Sequence, residues 1–499
     1  MRLIRRFAAL LLALTLTLSL AAPAAAASGF TDVPAKHWAA AEIRRSAQAG
    51  LIRGETATRF GLGHSMTRGA FVSVLCRFFQ WQLVDHDGSF ADVPRDLWCR
   101  QAIETALVHG AVTTQTDDFR PNDPITREEM AVMLVRALGY GPISGLDLGI
   151  GCPFADVRTN QGYLALAYHL GIVNGTSATA FSPDRSATRE QAVVMLMRLY
   201  DRYFAAAPAK IGFVSDTAKN VSWTGFTDLI LSGGRLSASG VATAPQGTDD
   251  FLVQCRLQGS RALLGVTVDA AALGGDPTLQ ASRILSAADG FGGVALSVSG
   301  MTAKQRDGLT ALAAALRAAL GEGRLLLTVD AGGAYDLAAL AARCDGLLLA
   351  TTPDPVTKNG IRVAPLEPPE EIVRAMSAVP AAARSKLILT LSTTAGGRTE
   401  AEVQALAAKN RAYYSDRYAQ NYLLPSSGAV WYHDESSIQE RVQLCRLFGI
   451  GTVALSDLSA LSEGSGILKG IRSGKKRKRA PPGRAALLSA RGTGNEIDN

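Results

Sequence analysis

Between residues 30 and 204 the sequence repeats itself three times, and a chain built that way must bury its apolar surface between copies rather than within one. The copies open with Phe30-Thr31-Asp32-Val33-Pro34 and Trp38, with Phe90-Ala91-Asp92-Val93-Pro94 and Trp98, and with Phe154-Ala155-Asp156-Val157. Each opening leads into a short helical pattern that stops at a glycine followed by apolar residues: Gly50-Leu51-Ile52, Gly110-Ala111-Val112 and Gly171-Ile172-Val173. Glycine suits a helix that needs a left-handed residue just past its end. A turn carrying Phe60, Phe119 or Phe181 then delivers a second helix through Met66-Thr67-Arg68, Ile125-Thr126-Arg127-Glu128-Glu129 or Ala187-Thr188-Arg189-Glu190-Gln191. Threonine is a good N-cap, and acidic residues in the first turn of the second and third copies complement the helix dipole. Phe71, Val74 and Leu75, then Met130, Met133 and Leu134, then Val193, Leu196 and Met197, give each second helix one apolar face. The expected fold of this half is an all-α bundle of three helix–loop–helix units.

After Tyr203 the pattern changes. Ala205-Ala206-Ala207-Pro208-Ala209 is a short linker, and beyond it short apolar runs alternate with alanine-rich helical stretches. Eight runs stand out: Ile211 to Val214, Leu229 to Leu231, Ala262 to Val268, Gly293 to Val298, Leu325 to Val329, Gly346 to Leu349, Leu387 to Leu391 and Thr452 to Leu455. Alternation of this kind means parallel strands with helical crossovers. Eight such units in about 260 residues fit a closed (β/α)₈ barrel better than an open sheet. With 499 residues and 47% apolar content the chain has material for both cores, so a multidomain protein is expected.

Residues 1–27 have the three-part layout of a secretory signal: Arg2, Arg5 and Arg6, the uncharged run Phe7 to Ala22, and small residues from Ala24 to Ala27. The run is short for a bilayer span, and no later stretch is long and apolar enough to be a transmembrane anchor. Much of the net charge of +7 sits in the tail 471–499, at Lys475, Lys476, Arg477, Lys478 and Arg479. In an exported chain such a run meets anionic wall polymers and headgroups rather than nucleic acid. Its blander reading is a solvated tail. Six cysteines without CxxC pairing or metal-ligand spacing read as buried thiols, and no metal or cofactor is expected.

The Phe-x-Asp-Val openings and Thr-Arg turns resemble the S-layer homology family, in three copies spanning residues 28–86, 87–148 and 149–204. The resemblance implies a pseudo-threefold bundle located at the cell wall or S-layer surface, whose inter-repeat grooves bind pyruvylated secondary cell-wall polysaccharide. It places the family's groove arginine at Arg68, Arg127 and Arg189. A guanidinium fork suits a carboxylate-bearing ketal, and the adjoining helix N-terminus adds amide donors. Pairing of each arginine to a neighbouring acid is the structural alternative. Trp38 and Trp98 are candidates for the same polysaccharide surface, with core packing as their alternative. Copy one has Gly69 and Ala70 where the family has Ala and Glu, and copy three lacks the tryptophan. Copy two, which keeps both features, is therefore the expected stronger groove, so Arg127 should matter more than Arg68.

Residues 210–470 carry a second resemblance, to the chitinase-like barrels of glycoside hydrolase family 18. Tyr335-Asp336-Leu337-Ala338-Ala339-Leu340 with Cys344-Asp345-Gly346, Ser385-Lys386-Leu387-Ile388-Leu389, Val430-Trp431-Tyr432-His433-Asp434 with Ser437, and Phe448-Gly449-Ile450-Gly451-Thr452-Val453-Ala454-Leu455 follow that pattern in order. The family's fourth strand carries an Asp-Gly-x-Asp-x-Asp-x-Glu run that supplies the general acid. This chain has Gly292-Gly293-Val294-Ala295-Leu296-Ser297-Val298-Ser299 instead, so Ala295, Ser297 and Ser299 stand at degenerate positions. Ser456 replaces the strand-eight tryptophan. Hydrolysis of that type needs a protonated carboxyl beside the leaving oxygen, which a serine does not provide. Asp269, Asp330, Asp354 and Asp457 fall at carboxyl ends of expected strands and are candidates for a displaced acid pair or metal site; caps and turns are the alternative. The expectation is a pseudoenzyme barrel for glycan binding or scaffolding, with peptidoglycan or another glycan as partner. Rival readings are an active glycosidase with displaced carboxylates and a structural S-layer subunit.

Overall fold

Why the Thr-Arg turns recur is visible in their backbone. Met66, Ile125 and Ala187, each just ahead of its threonine, are buried and bond to one another in a closed ring: Met66 N–H to Ala187 O at 2.9 Å, Ala187 N–H to Ile125 O at 2.9 Å, and Ile125 N–H to Met66 O at 2.8 Å. Single β-bridges tie the same turns together, Ser65 to Thr188, Thr67 to Pro124 and Thr126 to Ser186. A pseudo-threefold centre follows, because each turn satisfies its neighbour's polar backbone inside an apolar core. The three helices that start here, Arg68–Phe78, Arg127–Ala137 and Arg189–Tyr203, send their apolar stripes inward from it. Thr67 accepts the N–H of Ala70, and Thr126 forms a full capping box with Glu129. Around the centre the unit is built of helices and these bridges.

The computed structural model describes residues 30–472 apart from 87, 218–222, 331, 352, 354, 359 and 360. The expected leader at 1–27 and the basic tail past Arg472 lie outside the described residues. The chain divides into two compact units, one of residues up to Gly139 with Gly175–Leu199, the other of Tyr140–Asn174 with everything from Tyr200. The first helix of the third repeat, Gln161–His169, thus falls in the second unit, while its Thr-Arg turn falls in the first.

The second unit closes a parallel barrel from eight strands: β1 Ala209–Val214, β2 Asp228–Leu236, β3 Arg261–Asp269, β4 Gly293–Ser299, β5 Arg324–Asp330, β6 Gly346–Ala350, β7 Leu387–Leu391 and β8 Thr452–Leu455. All eight expected runs are strands, and β1 pairs with both β2 and β8, which closes the sheet. One residue from each strand meets in the interior: Ile211, Ile230, Leu263, Ala295, Leu326, Leu348, Ile388 and Ala454. Following that layer round, the register steps by two residues at every other strand pair, four times in a circuit. The total stagger of about eight residues is the shear of a (β/α)₈ barrel.

Between β7 and β8 lies an antiparallel three-stranded sheet, Ala412–Ser415, Gln420–Leu423 and Val430–Tyr432, which the alternation of strands and helices did not announce. It is held by aromatic stacking, with Tyr422 rings 5.4 Å from Tyr413 and 4.7 Å from Trp431.

Candidate functional site

Each of the three arginines reaches into the next repeat in a cycle. Arg68 Nε donates to Phe119 O at 2.7 Å, Arg127 Nε to Phe181 O at 2.9 Å, and Arg189 Nε to Phe60 O at 2.9 Å. Each guanidinium also lies over the ring of that phenylalanine, 4.8, 4.5 and 5.0 Å from its centroid. Phe60 and Phe119 are presented by the aspartates of the first two Phe-x-Asp-Val openings. Asp32 accepts from the N–H groups of Phe60, Gly61 and Leu62, and Asp92 from those of Phe119 and Arg120. Burial pushes the Asp32 carboxyl up, but those backbone bonds outweigh it and hold it at about 2. The sequence showed the aspartates as motif letters; their task of fixing the arginine-bearing seams needed the fold.

The cycle leaves the arginines unequal. Arg68 and Arg127 are buried, and Arg68 Nη1 pairs with Glu129 Oε1 at 2.6 Å, as the acid-pairing alternative expected. Arg189 is half-buried and opens onto a groove of about 630 Å³. Arg53, Arg77, Gln80, Trp81, Trp98 and Gln101 share that lining, which holds no Asp or Glu. Trp81 is stacked on His109, rings 4.3 Å apart and 2° from parallel, while Trp98 is 64% exposed. Trp38 is 59% exposed, so core packing, the alternative for both tryptophans, does not hold: each lies in the turn just ahead of a helix that buries smaller residues. Gly69 is explained by a neighbour, since a Cβ there would stand 2.6 Å from the Cys99 sulfur. All six thiols are free, and all but Cys152 are buried.

At the barrel mouth the interior line of β4 runs Ala295, Ser297, Ser299, from the buried layer outward. Ser297 Oγ bonds Thr267 at 3.3 Å and Ser299 Oγ bonds Val268 O at 3.4 Å. The described candidate aspartates each have a partner of their own. Asp269 faces Arg235 at 3.6 Å, Asp330 accepts from Tyr335 Oη at 3.4 Å, and Asp457 accepts from Ser215 Oγ at 2.6 Å and caps Ser459. Asp354 lies outside the described residues. Among the described residues no group of three His, Cys, Asp or Glu side chains is placed to hold a metal.

The densest polar network of the barrel unit lies elsewhere. Glu367 Oε2 meets His433 Nε2 at 2.8 Å, Ser392 Oγ donates to Glu367 Oε1 at 2.6 Å, and His433 Nδ1 lies 3.1 Å from Ser437 Oγ. This Ser-His-Glu line has the order of a nucleophilic relay, yet Ser437 is fully buried and its hydroxyl is engaged by the backbone of Asp434. Buried Arg441 closes the network on the carbonyls of Leu366, Glu367, Tyr418, Ala419 and Ser437. It ties the three-stranded sheet to the loop after β6 rather than serving a reactant. Sequence spacing gave no hint of it, because Glu367 and His433 are 66 residues apart.

The family model of the S-layer homology domain matches residues 29–72, 89–131 and 153–193. An endoglucanase of Bacillus sp. (strain KSM-635) is 29% identical over 226 residues, 43% of this chain and 23% of that protein. An S-layer protein of Bacillus thuringiensis subsp. finitimus is 29% identical over 192 residues, 38% of this chain and 23% of its own. The chain thus spans under a quarter of the length of either curated relative. Among solved structures, the chitinase from Chromobacterium violaceum ATCC 12472 has a TM-score of 0.45 at 16% identity, covering 54% of this chain and 100% of that one. The barrel assignment stands on the chain's own strand pairing. Three S-layer homology domains therefore occupy the first part of this chain, and they make it a protein of the cell surface.

Proposed function

We propose that the helical unit holds the protein on the cell wall by binding an anionic, pyruvylated secondary cell-wall polysaccharide, and that the barrel serves as a glycan-binding or scaffolding module without family-18 hydrolysis. The observation that carries the first part is the groove beside Arg189, where guanidinium groups and an exposed indole share one opening with no carboxylate. Guanidinium forks match carboxylates in charge and geometry, and an indole face offers an apolar platform to a sugar ring. The second part rests on the mouth of β4, where hydroxyls stand in place of the acids that protonation of a leaving group requires. Sedimentation tests the anchoring: the protein should pellet with purified walls and stay in solution with walls stripped of secondary polysaccharide. Equal retention on stripped walls would refute it.

A further inference from the structure

We infer that the third repeat is a joint: its first half is bound to the barrel through side chains of its own, so the barrel stays attached to the repeats even when the connecting chain at Ala205–Ala207 is cut. The inference is independent of what the helical unit binds.

One barrel helix is covered on every side. An outer helix of a (β/α)₈ barrel turns one stripe toward the strands and the rest toward solvent. Arg306–Leu320 does so, burying only Leu309, Leu312, Ala313 and Leu316. Glu435–Leu447, just ahead of β8, instead buries every residue from Arg441 to Leu447, about two full turns. Arg441 turns to the carbonyls of Tyr418 and Ala419 beside the three-stranded sheet, while other residues of the helix meet chain belonging to the third repeat. Gln443 Nε2 donates to Tyr203 O at 3.4 Å, and Leu447 O accepts from Arg202 Nη1 at 2.7 Å. Tyr140 is buried, and burial together with the nearby charge of Glu440 pushes its hydroxyl well up. On the helix Pro369–Ala378, Arg374 donates to Leu148 O at 3.4 Å and to Asp147 O at 3.5 Å. All of these residues belong to the second compact unit.

The first helix of the third repeat differs from its counterparts in a matching way. Counted back from the glycine that ends each helix, Arg44 and Arg45 of the first repeat correspond to Ala165 and Leu166 of the third. The arginines are exposed, and the apolar pair is buried. Ala41 and Gln101, both exposed, correspond to Gly162, where a Cβ would collide with the Ser144 carbonyl. Gly50 and Gly110 look onto open space, but a Cβ on Gly171 would run into the Arg202 guanidinium. That guanidinium is the pivot of the joint. Its Nη1 donates both to Leu170 O, at the end of the repeat's helix, and to Leu447 O, at the end of the barrel helix. One cation thus satisfies carbonyls that two helix ends leave open, and it complements both dipoles.

The test is to cut the joined chain. A site for a sequence-specific protease is placed between Ala206 and Ala207, both exposed, in the full-length protein. After cleavage the barrel fragment should still co-elute with the repeat fragment in gel filtration; a barrel fragment that elutes alone overturns the inference. Arg202→Ala removes the shared donor and should raise the dissociation constant of the two fragments about tenfold or more, measured by dilution of the cut protein. An unchanged constant overturns the part given to Arg202. Tyr140→Phe deletes a buried hydroxyl that has no partner among the described residues, and should leave the fragments bound at least as tightly; a loss as large as that of Arg202→Ala would move the pivot from Arg202. Hydrogen exchange on the uncut chain separates the joint from the fold. In Arg202→Ala the amides of Gln161–His169 and Glu435–Leu447 should exchange faster while those of β3 and β4 keep their rates. Equal acceleration throughout the barrel would make Arg202 a support of the barrel fold and overturn its role as a joint.

Discussion

In the groove of the helical unit, Arg53, Arg77 and Arg189 face one opening whose lining holds no carboxylate, whereas at the barrel mouth every described candidate aspartate is already bonded to a partner of its own chain. Both regions are built from helix starts and strand ends, the places where folds usually present functional groups. What separates them is whether charge is left over once the fold has been satisfied. The threefold closure uses Nε of each arginine, and what else each guanidinium meets differs from seam to seam: Arg68 Nη1 pairs with Glu129, while Arg189 Nη2 donates to Arg53 O. The barrel closes on apolar residues and hydroxyls, and its charged groups cap turns, pair with one another or brace the added sheet.

The largest effect that would break this contrast is catalysis. A general acid typically contributes about 10² to 10⁴ in rate, so without one the protein should release no measurable product from chitin oligomers or peptidoglycan under conditions where an intact family-18 enzyme does. On the proposed reading, Ser299→Glu alone should give no turnover either, because Ala295 and Ser297 offer no carboxylate to orient a substrate acetamido group. Product from the unaltered chain would show that a displaced carboxylate works, and alanine scanning of Asp269, Asp330, Asp354 and Asp457 would then locate it.

Next in size is the brace. Arg441→Ala removes the guanidinium from the carbonyls of Leu366, Glu367, Tyr418 and Ala419 in a buried site and should cost about 3 kcal/mol or more, read as a lowered denaturation midpoint of the barrel unit. A change below about 1 kcal/mol would mean that the network is dispensable. A smaller, pH-dependent effect follows from His433. Burial pushes its imidazole below the ordinary value, outweighing the opposing pull of Glu367. A depressed histidine contributes stability that is present above the unfolded value of about 6.5 and lost as pH falls toward the folded value. Unfolding midpoints measured between pH 8 and 5 should fall more steeply in the unaltered protein than in His433→Gln; parallel curves would count against the buried neutral histidine. The smallest stability effect should come from Trp98→Ala. An indole that is 64% exposed contributes little to folding, so unfolding should shift by no more than about 0.5 kcal/mol while wall retention weakens. Loss of stability without loss of retention would return Trp98 to a structural role.

Element types were legible because periodicity is a local signal. Eight apolar runs became eight barrel strands, and the Thr-Arg turns became capped helix starts. The short sheet at Ala412–Tyr432 was not, since strands of three or four residues barely show an alternation and are fixed by Tyr413, Tyr422 and Trp431 stacking on one another. The exposure of Trp38 and Trp98 was not legible, because both lie in the turns just ahead of Ala40–Gln48 and Arg100–Val108, where helical spacing does not tell which side is covered.

The sequence by itself determined the repeat number, the barrel class and the absence of acids from β4, because these depend on residue identity and on spacing along the chain. Only the tertiary structure decided that Arg68 is answered by Glu129 while Arg189 and Ala70 line one groove. Those pairs lie 61 and 119 residues apart and become neighbours through the cyclic closure of Met66, Ile125 and Ala187, which no local pattern encodes.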